Sequence, residues 1–292
     1  MRIRLDLAYD GTDFSGWGIQ PSLRTVQGEL ERGLAQILRE QVRVHVAGRT
    51  DAGVHAAAQT VHADISEDAW ERQPGRSDRA PGQAMLQRLA AVLPRDIAVH
   101  AVSVPPDGFD ARFSALARRY RYRISDDLTR RDPLRRDVHQ HRRRLDAEAM
   151  NTAAQALVGE HDFLSFCRPR EDATTIRTLH AITWRRMPDD PALADAGLVV
   201  ADVEADAFCH HMVRSIVGAS VAVGESRADA DWMAALIATP RRDAAGSAPM
   251  FAPHGLTLQG VVYPADEQLA ARAEQTRGKR GSTWVRERAR RQ

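Results

Sequence analysis

The 292-residue sequence predicts an α+β protein made of two consecutive halves. Three observations lead to this prediction: strand-like and helix-like patterns alternate in the first half, similar elements return in the second half, and turn-rich stretches separate them. A hydrophobic share of 43% suits a chain with substantial cores. We assign the first half to residues 1–113, the second to 114–265, and a basic, flexible tail to 266–292.

The first half follows the order strand, helix, strand, strand, helix, strand, which is typical of a split βαβ unit. Apolar and polar residues alternate over residues 3–7, and this predicts a strand with one buried face. Thr25 suits the N-cap of a helix over residues 26–38. Residues 67–82 are rich in Arg, Asp, Pro and Gly and indicate an exposed loop. The other predicted elements are strands at 42–46, 60–65 and 97–104 and a helix at 85–93.

The second half begins near Arg118 with a predicted strand whose two faces differ in chemistry. Tyr120, Tyr122 and Ile124 share one face, and arginines occupy the other. Helical spacing returns over 208–223, with Phe208 in its apolar stripe. The other predicted elements are helices at 150–158 and 231–237 and strands at 179–184, 198–203 and 256–262.

A polar turn over residues 47–55 carries one carboxylate, Asp51, between two strand patterns. Loops held by rigid neighbours are frequent sites of chemistry. Gly48 and Gly53 permit a sharp turn, and Arg49 supplies a permanent cation two residues from the carboxylate. An Asx-turn within a hairpin is the alternative interpretation of this loop.

The string GRTDAGVHA, at residues 48–56 and followed by Gln59 and His62, resembles the catalytic loop of the tRNA pseudouridine synthase A family. Seven other segments resemble that family in the same order, within residues 3 to 264. They are YDGT with GW (9–12, 16–17), TVQGELE (25–31), LPRDIAV (93–99), FDARFSA with YRY (109–115, 120–122), GEHDF with SF (159–163, 165–166), FCHHMVRSIVG (208–218) and GLTL with VY (255–258, 262–263).

The resemblance implies a fold of two split-βαβ halves joined in one large mixed sheet with a central cleft. It also implies an isomerase that converts uridine to pseudouridine at positions 38, 39 and 40 of the tRNA anticodon stem-loop, by base flipping and without a cofactor. Asp51 matches the family's catalytic carboxylate. Attack on uracil C6, attack on the sugar C1′ and removal of the 2′ proton all need this group, and the sequence leaves the three routes open.

Four further residues match supporting positions of the family. Arg49 matches the arginine that enters the space left by the extruded base, and Arg214 matches the arginine that pairs with the carboxylate. Tyr120 matches a tyrosine that stacks on the target base, and Leu256 matches an apolar residue of the uracil pocket. Without the resemblance, Tyr120 and Leu256 would be interpreted as core residues, and Arg214 as an exposed helix residue.

Charge is unevenly distributed along a chain whose net charge is only +2. Residues 112–144 contain twelve arginines and four aspartates, and residues 277–292 contain seven basic residues and one glutamate. Clustered basic residues attract phosphate backbones. We therefore expect both segments to line tRNA-binding clefts, and the resemblance implies a homodimer whose clefts span both subunits.

No organic cofactor and no metal are expected, because the sequence lacks a P-loop, a dinucleotide motif and zinc-ligand spacing. His210 and His211 would be neighbours on a helix and point in different directions. Cys167 and Cys209 lack a CxxC partner and are expected to be reduced thiols in a cytoplasmic protein. No apolar run of about 18 residues and no signal peptide were found, so no membrane association is expected.

Three alternative functions fit parts of the sequence. The first is a uridine isomerase with another RNA target, which sequencing of modified positions in a deletion strain would separate. The second is a non-catalytic RNA-binding module or chaperone, against which the retained candidate residues argue. The third is a metal-dependent hydrolase that uses the histidines and would be sensitive to chelators.

Overall fold

The computed structural model describes residues 1–169, 174–243 and 246–279, with side chains described up to residue 277. Within those ranges the chain forms ten strands and seven α-helices, and the predicted α+β class is confirmed. The chain divides into two compact units. Unit 1 comprises Met1–Leu116 and the described part of Leu258–Gln292, and unit 2 comprises Ala117–Thr257. The return of the chain to unit 1 after residue 257 was not expected from the sequence.

The strands of unit 1 surround β1, which is paired on both of its edges. Strand β1 pairs antiparallel with β3 on one side and with β4 on the other, and β2 pairs antiparallel with β3. From Leu258 onward, β10 follows β3 in the strand order. The bounds are β1 Arg2–Tyr9, β2 Val44–Val46, β3 His55–Asp64, β4 Ile97–Ser103 and β10 Leu256–Val262.

The helices of unit 1 begin where the local sequence supplies a cap or a proline. The side chain of Thr25 accepts a hydrogen bond from Gly28 N at the start of α1, as predicted. The segment at 67–82, predicted to be loop, instead contains a short helix capped by Ser66, and α3 begins at Pro81. The bounds are α1 Val26–Leu38, α2 Glu67–Glu71 and α3 Pro81–Val92.

The expected flexible tail from residue 266 is wrong for its first part. Residues Leu269–Lys279 form helix α7, and the side chain of Leu269 is buried in a cluster with Ala47, Phe109 and Ala111. An isolated basic helix of this length would be marginal in water, and burial of one apolar side chain contributes about 2 kcal/mol. The tail residues 280–292 lie outside the described residues.

Unit 2 contains strands that are antiparallel apart from one short parallel pair. Strand β9 pairs with β5 and β8, β7 pairs with β8, and β6 pairs parallel with β5. The bounds are β5 Ala117–Ser125, β6 His139–Gln140, β7 Gly159–Asp162, β8 Ile176–Arg186 and β9 Val199–Ala205. The strands predicted near 118–124, at 179–184 and at 198–203 are therefore present and longer than their sequence patterns, whereas β6 and β7 were not predicted.

Helix α5 starts later than predicted and is buried on nearly all sides. It begins at Met212, so Phe208 and the residues Cys209–His211 precede it rather than forming its first turn. His211 has a left-handed backbone with φ of 71°, which separates this turn from the helix. The bounds of the unit 2 helices are α4 Ala147–Ala154, α5 Met212–Gly224 and α6 Ala230–Ala238.

The two cysteines do not remain separate thiols in this structure. Cys167 and Cys209 form a disulfide, with their Cα atoms 5.7 Å apart. The expectation of reduced thiols is wrong. It rested on the absence of a CxxC motif, but the two cysteines lie 42 residues apart in sequence and are brought together by the fold. Among the described helices, none has the length and apolar character needed to cross a membrane.

Candidate active site

Asp51 lies on the loop Ala47–Val54, between strands β2 and β3 of unit 1. The two strands are in register up to the pair Val46 and Val61, which fixes the base of the loop. At the loop itself, Thr50 is buried, Asp51 is partly buried and Arg49 is exposed. The loop therefore presents a carboxylate and a guanidinium in succession at or near the surface of the unit.

The segment Tyr9–Trp17 holds this loop through backbone hydrogen bonds. Trp17 N donates to Thr50 O at 3.1 Å, and Gly53 N donates to Phe14 O at 3.3 Å. These bonds lie on either side of Asp51. Because they join main-chain atoms, they fix the path of the loop without using the carboxylate.

Two glycines let the two backbones approach closely. A Cβ atom at Gly11 would lie 2.0 Å from Val54 O, and one at Gly16 would lie 3.1 Å from Thr50 O. Gly16 also has a φ of 91°, a conformation that favours glycine. The residue type at both positions is thus dictated by the contact with the Asp51 loop.

A buried side-chain network supports the same loop from below. The hydroxyl of Tyr9 lies 2.8 Å from Thr50 Oγ1, and Gln59 Nε2 donates both to the Tyr9 hydroxyl at 3.3 Å and to Gly48 O at 2.8 Å. Burial raises the pKa of Tyr9 to about 12, although the hydrogen bonds with Thr50 and Gln59 oppose this shift. The phenol therefore stays neutral near pH 7 and remains a hydrogen-bonding member of the network.

The base of the loop is packed as well as hydrogen-bonded. Ala47 N donates to Thr60 O at 3.0 Å, and the side chain of Ala47 lies in the cluster that contains Leu269 of α7. Sequence reasoning missed this support, because nothing in the polar sequence near Leu269 indicates a packed helix. It also missed the hydrogen-bond network of Tyr9, Thr50 and Gln59. The glycines and aromatic residues between residues 9 and 17 were the available signal, and they do not identify its members.

In unit 2, Tyr120 lies on strand β5 opposite Val203 of β9. Its side chain is 6% exposed, and its ring meets that of Phe208 edge to face with centroids 5.2 Å apart. Leu256 begins β10 and is 4% exposed. Both side chains are thus largely buried, which agrees with an aromatic or apolar wall of a pocket and equally with a core position.

Arg214 lies in the first turn of helix α5 and is half-buried. Its Nε donates to Phe251 O at 2.9 Å, and Phe251 N donates to Arg214 O at 3.1 Å. The guanidinium also opposes, through its charge, the increase that burial causes in the pKa of nearby Tyr122. Arg214 is therefore not simply a solvent-facing helix residue, because its Nε donates to a backbone carbonyl of the protein.

The two histidines before α5 do not point apart as the helical prediction required. His210 and His211 lie in the turn that precedes the helix, and their ring centroids are 3.8 Å apart with a tilt of 41°. The left-handed backbone at His211 accounts for this arrangement, because successive residues in such a turn do not follow helical spacing.

Many arginines of the segment 112–144 are engaged by acids from elsewhere in unit 2. Arg119 and Arg121 form cross-strand ion pairs with Glu204 and Asp202 of β9, which lie directly opposite them. Three more arginines pair with acids outside the segment: Arg123 with Asp195, Arg130 with Asp189, and Arg135 with Asp195. The charge count within the segment therefore overstates its positive field.

The arginines at residues 142–144 are all exposed, and the contacts of Arg143 with Glu225 and of Arg144 with Asp126 are longer than those of the pairs above. The side chains of Arg143 and Arg144 are 69% and 65% exposed, and their acidic neighbours Glu225 and Asp126 are 3.9 and 3.4 Å away. Exposed guanidinium groups are suited to contact phosphate oxygens.

The elements just described define an α+β chain that presents a carboxylate on a fixed loop, and comparison with known proteins identifies its family. A family model described as tRNA pseudouridine synthase matches residues 153–264. Proteins named tRNA pseudouridine synthase A from Streptomyces griseus subsp. griseus and Frankia casuarinae are 49% and 50% identical over 283 residues. These matches cover 96% of this chain and 94% and 96% of the relatives.

A third relative with the same name, from Bifidobacterium longum, is 46% identical over an alignment of 301 residues that covers 96% of this chain and 99% of the relative. The chain belongs to the tRNA pseudouridine synthase A family, a family of isomerases. The family resemblance inferred from sequence motifs is confirmed.

Proposed function

We propose that this protein converts uridine to pseudouridine in tRNA, at positions 38, 39 and 40 of the anticodon stem-loop, with Asp51 as the reactive carboxylate. The observation that carries the proposal is the fixed presentation of Asp51 by a clamped loop in a chain of this family. An enzyme that accepts three neighbouring uridines must recognise the shape and phosphates of the RNA more than a base sequence.

The reaction breaks the bond between uracil N1 and ribose C1′, rotates the base and joins C5 to C1′. N1 gains a proton and C5 loses one, so no oxidant or co-reactant is consumed. A carboxylate that is ionised near neutral pH can act as a nucleophile or a base. Asp51 would serve in this way in each of the three routes: attack on C6, attack on C1′, or removal of the 2′ proton.

The nucleotide must leave the base stack before it can react, and extraction costs a few kcal/mol. We assign Arg49 to the space left by the extruded base, Tyr120 to stacking on the target uracil, and Leu256 to the wall of its pocket. Arg214 would pair with the Asp51 carboxylate. The exposure of Arg49 and the burial of Tyr120 and Leu256 are compatible with these roles, and the resemblance supplies the roles themselves.

For the RNA surface we propose the exposed arginines at 142–144 in place of the whole basic segment, because most other arginines there have closer acidic partners. The family resemblance further supports a homodimer and a cytoplasmic location, where tRNA is modified. Light scattering on the purified protein would measure its oligomeric state.

The proposal is tested with tRNA transcripts that carry tritium at uracil C5. Wild-type protein should release one tritium for each pseudouridine formed, and chemical mapping should locate the product at positions 38 to 40. Asp51→Asn keeps the size of the side chain but removes its charge, and we expect turnover to fall by about 1,000-fold or more while tRNA binding is retained.

Asp68→Asn is the matched control, because Asp68 is an exposed carboxylate on α2 that forms a surface pair with Arg72. It should release tritium at the wild-type rate. Near-normal release by Asp51→Asn would reject Asp51 as the reactive group, and product at other uridines would reject the proposed sites. Release of no tritium by the wild-type protein, with tight RNA binding, would support the non-catalytic alternative.

A further inference from the structure

A segment of unit 2 that has no helix or strand structure, Ala248–Gly255, runs beside helix α5, and we call it the strap. Three hydrogen bonds hold it along its length. Ala248 N donates to Ser165 O at 2.9 Å, Phe251 N donates to Arg214 O at 3.1 Å, and the hydroxyl of Tyr122 donates to Ala252 O at 2.8 Å. The strap is therefore fixed at its first residue and at two successive residues near its middle, where it meets Arg214.

Gly218 lets the strap approach the helix. Gly218 follows Arg214 by four residues, so both lie on the same face of α5. A Cβ atom at Gly218 would lie 1.9 Å from Pro249 O and 2.8 Å from Pro249 C. Glycine weakens a helix interior, so its presence here indicates that the backbone contact outweighs that loss.

The strap engages one edge of the Arg214 guanidinium, the edge that carries Nε. Arginine carries five N–H donors in a planar fork, one on Nε and four on the two terminal nitrogens. Because Phe251 O accepts the bond from Nε at 2.9 Å, the guanidinium is oriented to meet a carboxylate through its terminal nitrogens.

The ring of Phe251 is held on several sides, which fixes the backbone carbonyl that Arg214 uses. Its centroid lies 4.6 Å from that of His139, 5.8 Å from that of Tyr122 and 6.0 Å from that of His141. A carbonyl with its side chain packed in this way can direct a long, flexible arginine side chain at little further entropic loss.

We propose that the strap, with Gly218 and the Phe251 carbonyl, orients the guanidinium of Arg214 for its contact with the reacting carboxylate. Gly218, Phe251 and Tyr122 are thus positioning residues that act through Arg214. This inference rests on the proposed role of Arg214 in catalysis. Misplacement of a group by about 1 Å can lower turnover by about 100-fold, so a displaced strap should be visible in kcat.

The test is a double-mutant cycle with the variants Gly218→Ala, Arg214→Lys and their combination. The added methyl group must displace Pro249, and we expect kcat to fall by about 10- to 100-fold with KM for tRNA nearly unchanged. Lysine at 214 has no planar guanidinium with an Nε–H group, so the Phe251 carbonyl cannot orient it in the same way. The double variant should therefore turn over within about threefold of Arg214→Lys alone.

Ser220→Ala provides the matched control on the same helix. It removes the buried bond in which Trp184 Nε1 donates to Ser220 Oγ at 3.1 Å, and no contact with the strap is involved. We expect a lower melting temperature for this variant with kcat close to the wild-type value. In the double variant, the small change in kcat caused by Ser220→Ala should multiply with the change caused by Arg214→Lys, since the two sites act independently.

Tyr122→Phe is a second probe, because it removes the anchor on Ala252 O without adding volume. It should lower kcat by a smaller factor than Gly218→Ala and show the same lack of additivity with Arg214→Lys. If Gly218→Ala does not fold, the cycle with Tyr122→Phe decides the question.

The possible outcomes separate the two proposals. Losses that multiply in the double variants would overturn the role of the strap, even if Arg214→Lys itself is nearly inactive. Wild-type kcat in Arg214→Lys and Arg214→Ala would overturn the catalytic role of Arg214 and with it the inference. A loss in each single variant that disappears in the Arg214→Lys background would support both.

Discussion

The two units hold their candidate site residues in different ways. In unit 1, Asp51 lies on an irregular loop whose path is fixed by bonds from the backbone of residues 9–17. In unit 2, Arg214 lies on a regular helix, and a bond from its side chain to Phe251 O fixes its orientation. The carboxylate is thus positioned through main-chain geometry, and the arginine through a side-chain contact.

This difference predicts where each site is vulnerable. A short side chain such as aspartate follows its own backbone closely, so anything that moves the loop moves the carboxylate. A long arginine side chain has four rotatable bonds, so a correct helix alone does not orient it. In both units a glycine permits the necessary close approach, namely Gly11 beside Val54 and Gly218 beside Pro249.

Among the changes that test this comparison, the largest effect is expected from Gly11→Ala. The methyl group would lie 2.0 Å from Val54 O and 2.4 Å from Val54 C, and these backbone atoms cannot move away without shifting the loop. We expect kcat to fall by about 100-fold or more. The free energy of unfolding should fall by about 3 kcal/mol, as for an overpacked core. Single-turnover kinetics and denaturant unfolding would measure the two quantities.

The control for this prediction is Gly260→Ala in strand β10. A Cβ atom there meets no heavy atom within 4 Å, and the residue belongs to the same unit. The variant should keep wild-type kcat and stability. Wild-type kcat in Gly11→Ala would show that the Asp51 loop tolerates displacement, and the contrast between the two units would then be lost.

A smaller effect is expected from acidification, and it should arise in both units. Burial lowers the pKa of His62 in unit 1 and of His139 in unit 2 to about 4, below the usual value of about 6.5. Between these pH values the unfolded chain binds more protons than the folded chain. The contribution of these two histidines to stability is therefore fully present above about pH 6.5 and is lost as the pH falls toward 4.

Each histidine should contribute roughly 1 to 2 kcal/mol to the loss of stability between about pH 7 and pH 5. His62→Gln and His139→Gln should each flatten the dependence of the unfolding free energy on pH, because glutamine does not titrate. His100→Gln, at an exposed position, should leave the slope unchanged. A pH slope in both variants that equals the wild-type slope would contradict the neutral state of the two imidazoles in the folded protein.

Much of the fold was predictable from the sequence because its signals are local. The alternation at residues 3–7 and the cap at Thr25 predicted β1 and α1, and both are present. Helix α7 was missed because its stability depends on Leu269 packing into a cluster formed by residues far away in sequence. The start of α5 was misjudged because the left-handed backbone at His211 has no signature in a non-glycine residue.

The candidate site was predictable to a similar, limited degree. Motifs pointed to Asp51, but the network of Tyr9, Thr50 and Gln59 that supports its loop joins three separate segments. No spacing rule links residues so far apart in sequence. The strap beside Arg214 was missed for the same reason, since Phe251 lies 37 residues after the arginine and contributes its backbone carbonyl.

Counting charges within a sequence window overstated the positive charge that the arginines of unit 2 present. The smallest predicted effect separates the exposed arginines from those that are paired with acids. Arg143 is 69% exposed, and its nearest acid is 3.9 Å away. Arg143→Gln should weaken tRNA binding by about threefold to tenfold and reduce the slope of log K against log salt by about one. The free energy of unfolding should change by less than about 0.5 kcal/mol.

Arg121→Gln is the matched change at an arginine whose positive charge is already balanced by acids. Arg121 pairs with Asp202 across the β5–β9 ladder at 2.7 Å and with Asp195 at 3.4 Å. Its loss should lower the free energy of unfolding by about 1 kcal/mol and leave the salt slope of tRNA binding unchanged. Equal salt slopes in the two variants would contradict the assignment of the RNA surface to the exposed arginines, because phosphate contact requires a guanidinium that is not already neutralised.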